Sequence, residues 1–216
     1  MGDYIDATTG LGPGCKLTCS DIAWEDYEHL LQQLGDDNHT RISYSDGRLE
    51  IVRPSFRQEK IKGLINRLVT ITCDELEIDW LSVGSVTLKK RPSGKGSEAD
   101  DCFYFAAAST ISRQDTLDLA CDPPPDIIVE IDLTSESTRK LQIYASFGIP
   151  EVWRYQQDRL EILKLKGHRY LPSAASQFLP VLTADRLTQF VAECEMAGDL
   201  QAQRNLRAWI KTVKAS

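Results

Sequence analysis

Apolar residues return every three or four positions between Phe56 and about Glu75, at Ile61, Leu64, Ile65, Leu68 and Ile71, and predict a long amphipathic helix. The same spacing at Ile22, Trp24, Tyr27, Leu30, Leu31 and Leu34 predicts a helix capped by Ser20 and stopped by Gly35. Between them, Arg41–Tyr44 and Arg48–Arg53 flank Asp46-Gly47, a dipeptide suited to tight hairpin turns, so two antiparallel strands are expected. Alternation over Ser85–Arg91 predicts a strand with Val86 and Leu88 inward, and Asp100–Phe105 is rich in strand formers behind an acidic start. The strongest strand signal is Ile127–Leu133, which follows a Pro123-Pro124-Pro125 run that no helix interior could hold. Its near-continuous apolar character predicts a central strand covered on both faces. Thr134 or Ser135 can cap a helix to about Phe147, with Gly148 as its stop. A hairpin over Glu151–Gln156 and Leu160–Lys166, a third strand at Arg169–Leu171, and helices over 184–196 and 199–213 complete the pattern.

The chain of 216 residues is long enough for one full core and too short for two large ones, so residues 20–216 are expected to form one domain. Residues 1–19 carry Gly2, Gly10, Gly12, Pro13 and Gly14 without periodicity and are expected to form a flexible arm. The longest stretch free of charged side chains, Tyr170–Ala184, is shorter than the roughly 20 residues of a membrane helix. Met1-Gly2-Asp3-Tyr4 lacks the basic-then-apolar order of a signal peptide. The six cysteines contain no CxxC pair and only three histidines exist, so no zinc finger can be assembled, and reduced thiols in the cytoplasm are expected. A net charge of −7 removes any global attraction to nucleic acid. Phosphate contacts would then come from local groups such as Lys89, Lys90, Arg91 and Lys95. Another candidate is the stripe Arg204, Arg207, Lys211 and Lys214, which spans about 80° of the last helix. A solvated face is the simpler reading of both.

Chemistry concentrates in the middle of the chain. Alternation along the central strand puts Ile127, Val129 and Ile131 on one side and Ile128, Glu130 and Asp132 on the other. Carboxylates within such a strand are costly unless a cation or N–H donors compensate them. Asp100, Cys102 and Tyr104 share a face of the preceding strand, so if the two strands are neighbours Asp100 meets Glu130. An aspartate and a glutamate, with water and a backbone carbonyl, suit Mg²⁺ or Mn²⁺. Phosphodiester hydrolysis uses such a metal and usually a positively charged donor as well. Lys140, leaning back from the next helix, is the candidate donor. Asp126 lies about 13 Å further along the strand and is expected to be a turn residue. The four tryptophans are expected in the core or an interface, and neither Ser135 nor Ser137 sits in a nucleophile motif.

Asp100, Glu130 and Lys140, the run Pro125-Asp126-Ile127-Ile128-Val129-Glu130-Ile131, and Lys140-x-x-x-Tyr144-x-x-x-Gly148-Ile149-Pro150-Glu151-Val152-Trp153 resemble the putative restriction endonuclease family of bacteria. That family lies within the PD-(D/E)XK nuclease superfamily. Asp46-Gly47-Arg48-Leu49-Glu50 with Pro54-Ser55, and Ser97-Glu98-Ala99-Asp100-Asp101, extend the resemblance over roughly residues 20–190. It implies an α/β (α+β), restriction-endonuclease-like fold, with a mixed central sheet flanked by helices. It also implies a Mg²⁺- or Mn²⁺-dependent DNA endonuclease in which Asp100 and Glu130 hold the metal and Lys140 is catalytic. Glu50 matches an acidic position of the same site. Asp132 occupies the place of the usual motif lysine, and Gln58 or Glu59 that of a frequent histidine. A homodimer would supply the two sites that double-strand cutting needs. The alternative is a catalytically inactive member that binds nucleic acid or protein, with Glu130 and Lys140 as a structural ion pair.

Overall fold

The computed structural model describes residues 8, 10–35, 39–133 and 138–214. Within them the elements run β1 (Lys16–Cys19), α1 (Trp24–Leu34), β2 (Arg41–Ser45), β3 (Arg48–Val52), α2 (Phe56–Leu76), β4 (Leu81–Ser82), β5 (Thr87–Lys90), β6 (Lys95–Glu98), β7 (Asp101–Tyr104) and α3 (Ala108–Ile111). They continue with β8 (Ile127–Asp132), α4 (Thr138–Phe147), β9 (Glu151–Gln156), β10 (Arg159–Lys166), β11 (Arg169–Ser173), α5 (Ala184–Ala197) and α6 (Asp199–Lys214). The strands form two sheets, ordered β1-β3-β2-β6-β5 and β11-β10-β9-β8-β7-β4. The second is the mixed central sheet. Its one parallel pair among the described residues is β8–β9, which needs the α4 crossover between them.

β8 is buried along its whole length, as its composition requires. Ile127, Val129 and Ile131 face a core closed by α2, α5 and α6, which includes Phe103, Trp153, Leu68 and Phe190. Ile128 faces the other way, into a core shared with Val152 and with Ile143, Tyr144 and Phe147 of α4. The smaller sheet packs Ile42, Tyr44, Leu49 and Ile51 under α1. Its other face carries the alternate residues. Arg41 pairs with Val52, Ser43 with Glu50 and Ser45 with Arg48, so directly opposed residues share that polar face. This face lies against α4 and the end of β8, and the site forms there.

Several boundaries differ from the sequence expectation for identifiable reasons. Residues 16–19 of the expected arm are strand β1, because Lys16–Cys19 extends the edge of β3 in register with Val52–Leu49. Helix α1 begins at Trp24 and not after Ser20, since Asp21 takes a left-handed backbone (φ 60°) and breaks the run. The basic segment expected as a loop is a β5–β6 hairpin, with Lys90 opposite Lys95. Thr134 and Ser135, expected to cap α4, lie outside the described residues, as do Ser137 and residues 1–7. The Asp46-Gly47 turn matches expectation. Both residues have positive φ (53° and 76°), the geometry that two-residue hairpins use. All four tryptophans pack in or against the cores. No helix among the described residues is long and apolar enough to cross a membrane.

Gly96 on β6 is a packing requirement. A Cβ there would lie 2.1 Å from Tyr27 Oη and 2.7 Å from Cζ of the same ring. Tyr27 is fully buried and stacked on Tyr44 at a centroid distance of 5.0 Å, so it cannot withdraw. Gly96→Ala should lower unfolding stability by about 1–3 kcal/mol in urea titration, and Tyr27→Leu in the same chain should restore part of the loss. An unchanged midpoint for Gly96→Ala would contradict this packing.

Candidate active site

Asp101, Cys102 and Phe103 of β7 pair antiparallel with Val129, Ile128 and Ile127 of β8, which places Asp100 beside the end of β8. The Ile131 N–H donates to Asp100 Oδ2 at 2.8 Å, and the Asp100 N–H donates to the Val129 carbonyl at 3.2 Å. One narrow cavity is lined by Asp100, Glu130, Asp132, Glu50 and Lys140, so all five sequence-predicted site residues meet in one place. Its volume of about 20 Å³ holds roughly one water or one ion. Glu50 reaches it from the polar face of β3 and pairs with Lys16 at 3.3 Å. Asp132 closes the β8 side and is buried. Asp126, expected as a turn residue, accepts the Phe105 and Ala106 N–H groups and stands outside this cavity.

Lys140 sits near the start of α4, and its Nζ donates to Glu130 Oε2 at 2.9 Å and to the Glu98 carbonyl at 3.2 Å. Tyr144, one turn further along the same face, donates from its hydroxyl to Glu130 Oε1. Since that phenol proton is committed, the 3.1 Å contact with Ser97 makes the serine hydroxyl the donor. Arg41 enters from β2. Its guanidinium bonds Glu98 at 3.3 Å and Glu59 at 3.2 Å, and its Nε lies 3.7 Å from Asp100. That distance is an ion pair and not a hydrogen bond, which leaves Nε buried without a hydrogen-bond acceptor.

The balance of charge shows in the protonation of the buried groups. Burial raises the Glu130 carboxyl above its ordinary value; the Lys140 ammonium opposes the rise, while Asp100 and Asp132 add to it. Burial likewise raises Glu98 against the pull of Arg41 and Lys140. Burial would lower Lys140, but Glu130 and Asp100 outweigh it and hold the ammonium above its ordinary value. Burial and the nearby Glu130 keep Tyr144 a neutral phenol. The lining of the cavity itself is acidic in excess, with Glu50, Asp100, Glu130 and Asp132 against Arg41 and Lys140.

That excess is the test of whether a divalent cation suits the site. The donors are hard oxygens, from Asp100 and Glu130, next to the Ile131 carbonyl that now accepts from Gln58 Nε2 at 3.1 Å. Among the described residues no set of three or more His, Cys, Asp or Glu side chains is arranged to hold a metal. A two-carboxylate site completed by the backbone and by water fits the residues present.

Arg41, Glu98, Tyr144 and Gln58 belong to this network; the sequence reading gave Arg41 no part in the site, quoted Glu98 and Tyr144 only within the motifs of the resemblance, and noted Gln58 only as standing where a histidine is frequent. Tyr144 had a signal, since it stands four residues after Lys140 and hence on its helical face. The two basic groups considered for phosphate contact are partly neutralised. Lys89 and Arg91 pair with Glu28, Arg207 with Glu75 and Lys214 with Glu77.

The model of one protein family, described as Uma2, putative restriction endonuclease, matches residues 24–197. The chain belongs to this family. The match covers the whole central sheet, every strand of the smaller sheet but β1, and Glu50, Asp100, Glu130, Asp132 and Lys140. The fold is also that of a crystal structure described as a putative nuclease belonging to DUF820, from Anabaena variabilis ATCC 29413. The two superpose with a TM-score of 0.52 at 12% identity, over 78% of this chain and 98% of the other. No curated protein matches the chain. Within the Uma2 frame the central strand carries an acid where the expected motif lysine would stand, at Asp132, and Lys140 of α4 supplies the ammonium to Glu130.

Proposed function

We propose that this Uma2 protein is a metal-dependent DNA endonuclease that hydrolyses phosphodiester bonds. The observation that carries the reading is the convergence of Asp100, Glu130 and Lys140 on one water-sized cavity from three separate elements. A Mg²⁺ or Mn²⁺ ion bound by Asp100 and Glu130 would supply Lewis-acid chemistry, lowering the pKa of water and offsetting charge on a phosphate oxygen. Lys140 has three N–H donors, and two are committed to Glu130 and to the Glu98 carbonyl. The third is free to orient a water or to meet a phosphate oxygen. Tyr144 and Ser97 fix the second oxygen of Glu130, and Arg41 and the Ile131 N–H fix Asp100, so neither acid has to reorganise when substrate arrives. Glu50 and Asp132 complete the acidic wall.

A second reading has its own support. Lys140 on Glu130 and Arg41 on Asp100 already form a closed set of ion pairs, as a purely structural, inactive nuclease fold would. The two are separated by incubating supercoiled plasmid, branched DNA and single-stranded DNA with the chain in Mg²⁺, Mn²⁺ or EDTA, beside Asp100→Ala. Metal-dependent cutting that disappears in the variant is the expected result. Absence of cutting on every substrate, or equal cutting by the variant, would transfer the assignment to a binding module.

A further inference from the structure

Beside the acidic cavity lies a second one of similar size, and the two share a wall made by Glu50 and Lys140. Its remaining polar lining is different in kind: Arg48 from β3, Arg139 from α4, and Ser43 and Ser45 from β2. Arg48 lies on the same face of β3 as Glu50, two residues away, and opposite Ser45 of β2. Its Nε is buried and has no hydrogen-bond partner. Neither Arg48 nor Arg139 makes an ion pair with another described residue, in contrast to Lys89, Arg91, Arg207 and Lys214. The one carboxylate on the wall, Glu50, is already paired with Lys16.

Ser45 donates its hydroxyl to Asp46 Oδ2 at 2.7 Å, so the donors left to this cavity are two guanidinium groups and the Ser43 hydroxyl; they suit a tetrahedral oxyanion, because guanidinium forks donate in pairs to phosphate oxygens. A buried donor without an acceptor is costly, and a phosphate oxygen would satisfy it. We infer that Arg48 and Arg139 hold a backbone phosphate of DNA, the one adjacent to the phosphate that faces Asp100 and Glu130. The inference rests on the reading of the acidic cavity as the hydrolytic site, and it adds the direction in which the strand crosses it: from β8 over Lys140 towards the β2–β3 hairpin. Lys140 lies between the two cavities and orients the strand in both.

The test separates binding from cutting. A short fluorescein-labelled single-stranded DNA is titrated with the full chain in EDTA, by anisotropy, over a series of salt concentrations. Arg48→Gln and Arg139→Gln are measured beside the wild type, with Lys211→Gln on α6 as a control and circular dichroism to verify folding. Arg139 is exposed, so its variant should fold even if that of Arg48 does not. Each arginine variant should bind about 10-fold more weakly, and its log–log salt slope should shrink by about 0.7, one phosphate contact on a single strand. The control should match the wild type. Arginine variants that bind like the wild type, a wild type that binds no DNA, or inorganic phosphate that binds the chain without displacing the oligonucleotide would each overturn the assignment. Cutting in Mg²⁺ is scored separately on the same proteins. Weakened binding by the variants of a chain that never cuts keeps the phosphate site and removes the nuclease reading. Cutting with unchanged binding by the variants does the reverse.

Discussion

Lys140→Met should lower unfolding stability by about 3–5 kcal/mol, because it strips the counter-charge from a glutamate that is itself buried. The Glu130 side chain is 2% exposed and that of Lys140 is 12% exposed, so water cannot replace the lost partner. The same argument predicts strong non-additivity. Glu130→Gln removes the charge that Lys140 had been neutralising, so the double variant should be substantially more stable than the sum of the two single losses implies. Urea unfolding of the four proteins gives the cycle. If the losses simply add, the 2.9 Å ion pair contributes no coupling and the tightly linked site described above is wrong.

The second large effect is on catalysis. Glu130→Gln keeps the size of the side chain but loses its anionic charge. Metal-dependent DNA cleavage should fall on the order of 10³-fold, the scale seen when a group meeting developing charge is removed. Mn²⁺ binding, followed by the loss of the free-ion signal in electron paramagnetic resonance, should weaken in parallel. A variant that retains Mn²⁺ binding would show that Glu130 is no ligand. One that still cuts at the wild-type rate would show that hydrolysis takes place elsewhere.

The sequence made the acidic part of this site legible because two periodicities coincide there. Strand alternation puts Glu130 and Asp132 on one side of an otherwise apolar β8, and the antiparallel neighbour β7 brings Asp100 to the end of the same strand. Glu130 inside that apolar run is the kind of exception that demands a partner, and Lys140 on the following helix is close enough in the chain to be found. Arg41 was not legible, because it lies 57 residues from Glu98 and joins it only through the pairing of β2 with β6. Its strand alternates small polar and apolar residues, which reads equally well as a half-solvated hairpin. Nothing local says that the polar side is covered. Strand β1 was missed for a related reason, since four residues among glycines carry too little pattern and exist as a strand only through the edge of β3. The buried Glu151 was also not anticipated. It accepts from Trp153 Nε1 at 2.6 Å and from the Gln177 N–H at 2.7 Å, a structural role that a lone acid at a strand start does not announce.

The polar face of the smaller sheet also bears on how the molecule reaches its native state. Arg41 and Glu50 come from that sheet, Asp100 and Glu130 from beside and within the β7–β8 ladder, and Lys140 from the crossover helix, so the set is drawn from both sheets and from residues as far apart as 41 and 140. Contacts of such sequence separation form only after large loops close, which slows folding. Pairing of β2 with β6 already sets Arg41 beside Glu98 and Asp100. Docking of the sheet against α4 adds the Lys140 bond to the Glu98 carbonyl and the Ser97 contact with Tyr144, which tie the Glu130–Lys140 pair to it. The ion network acts as a latch that engages when the fold is complete, and a chain truncated before α4, or lacking the first hairpin, would carry unmatched acids into its interior and remain open.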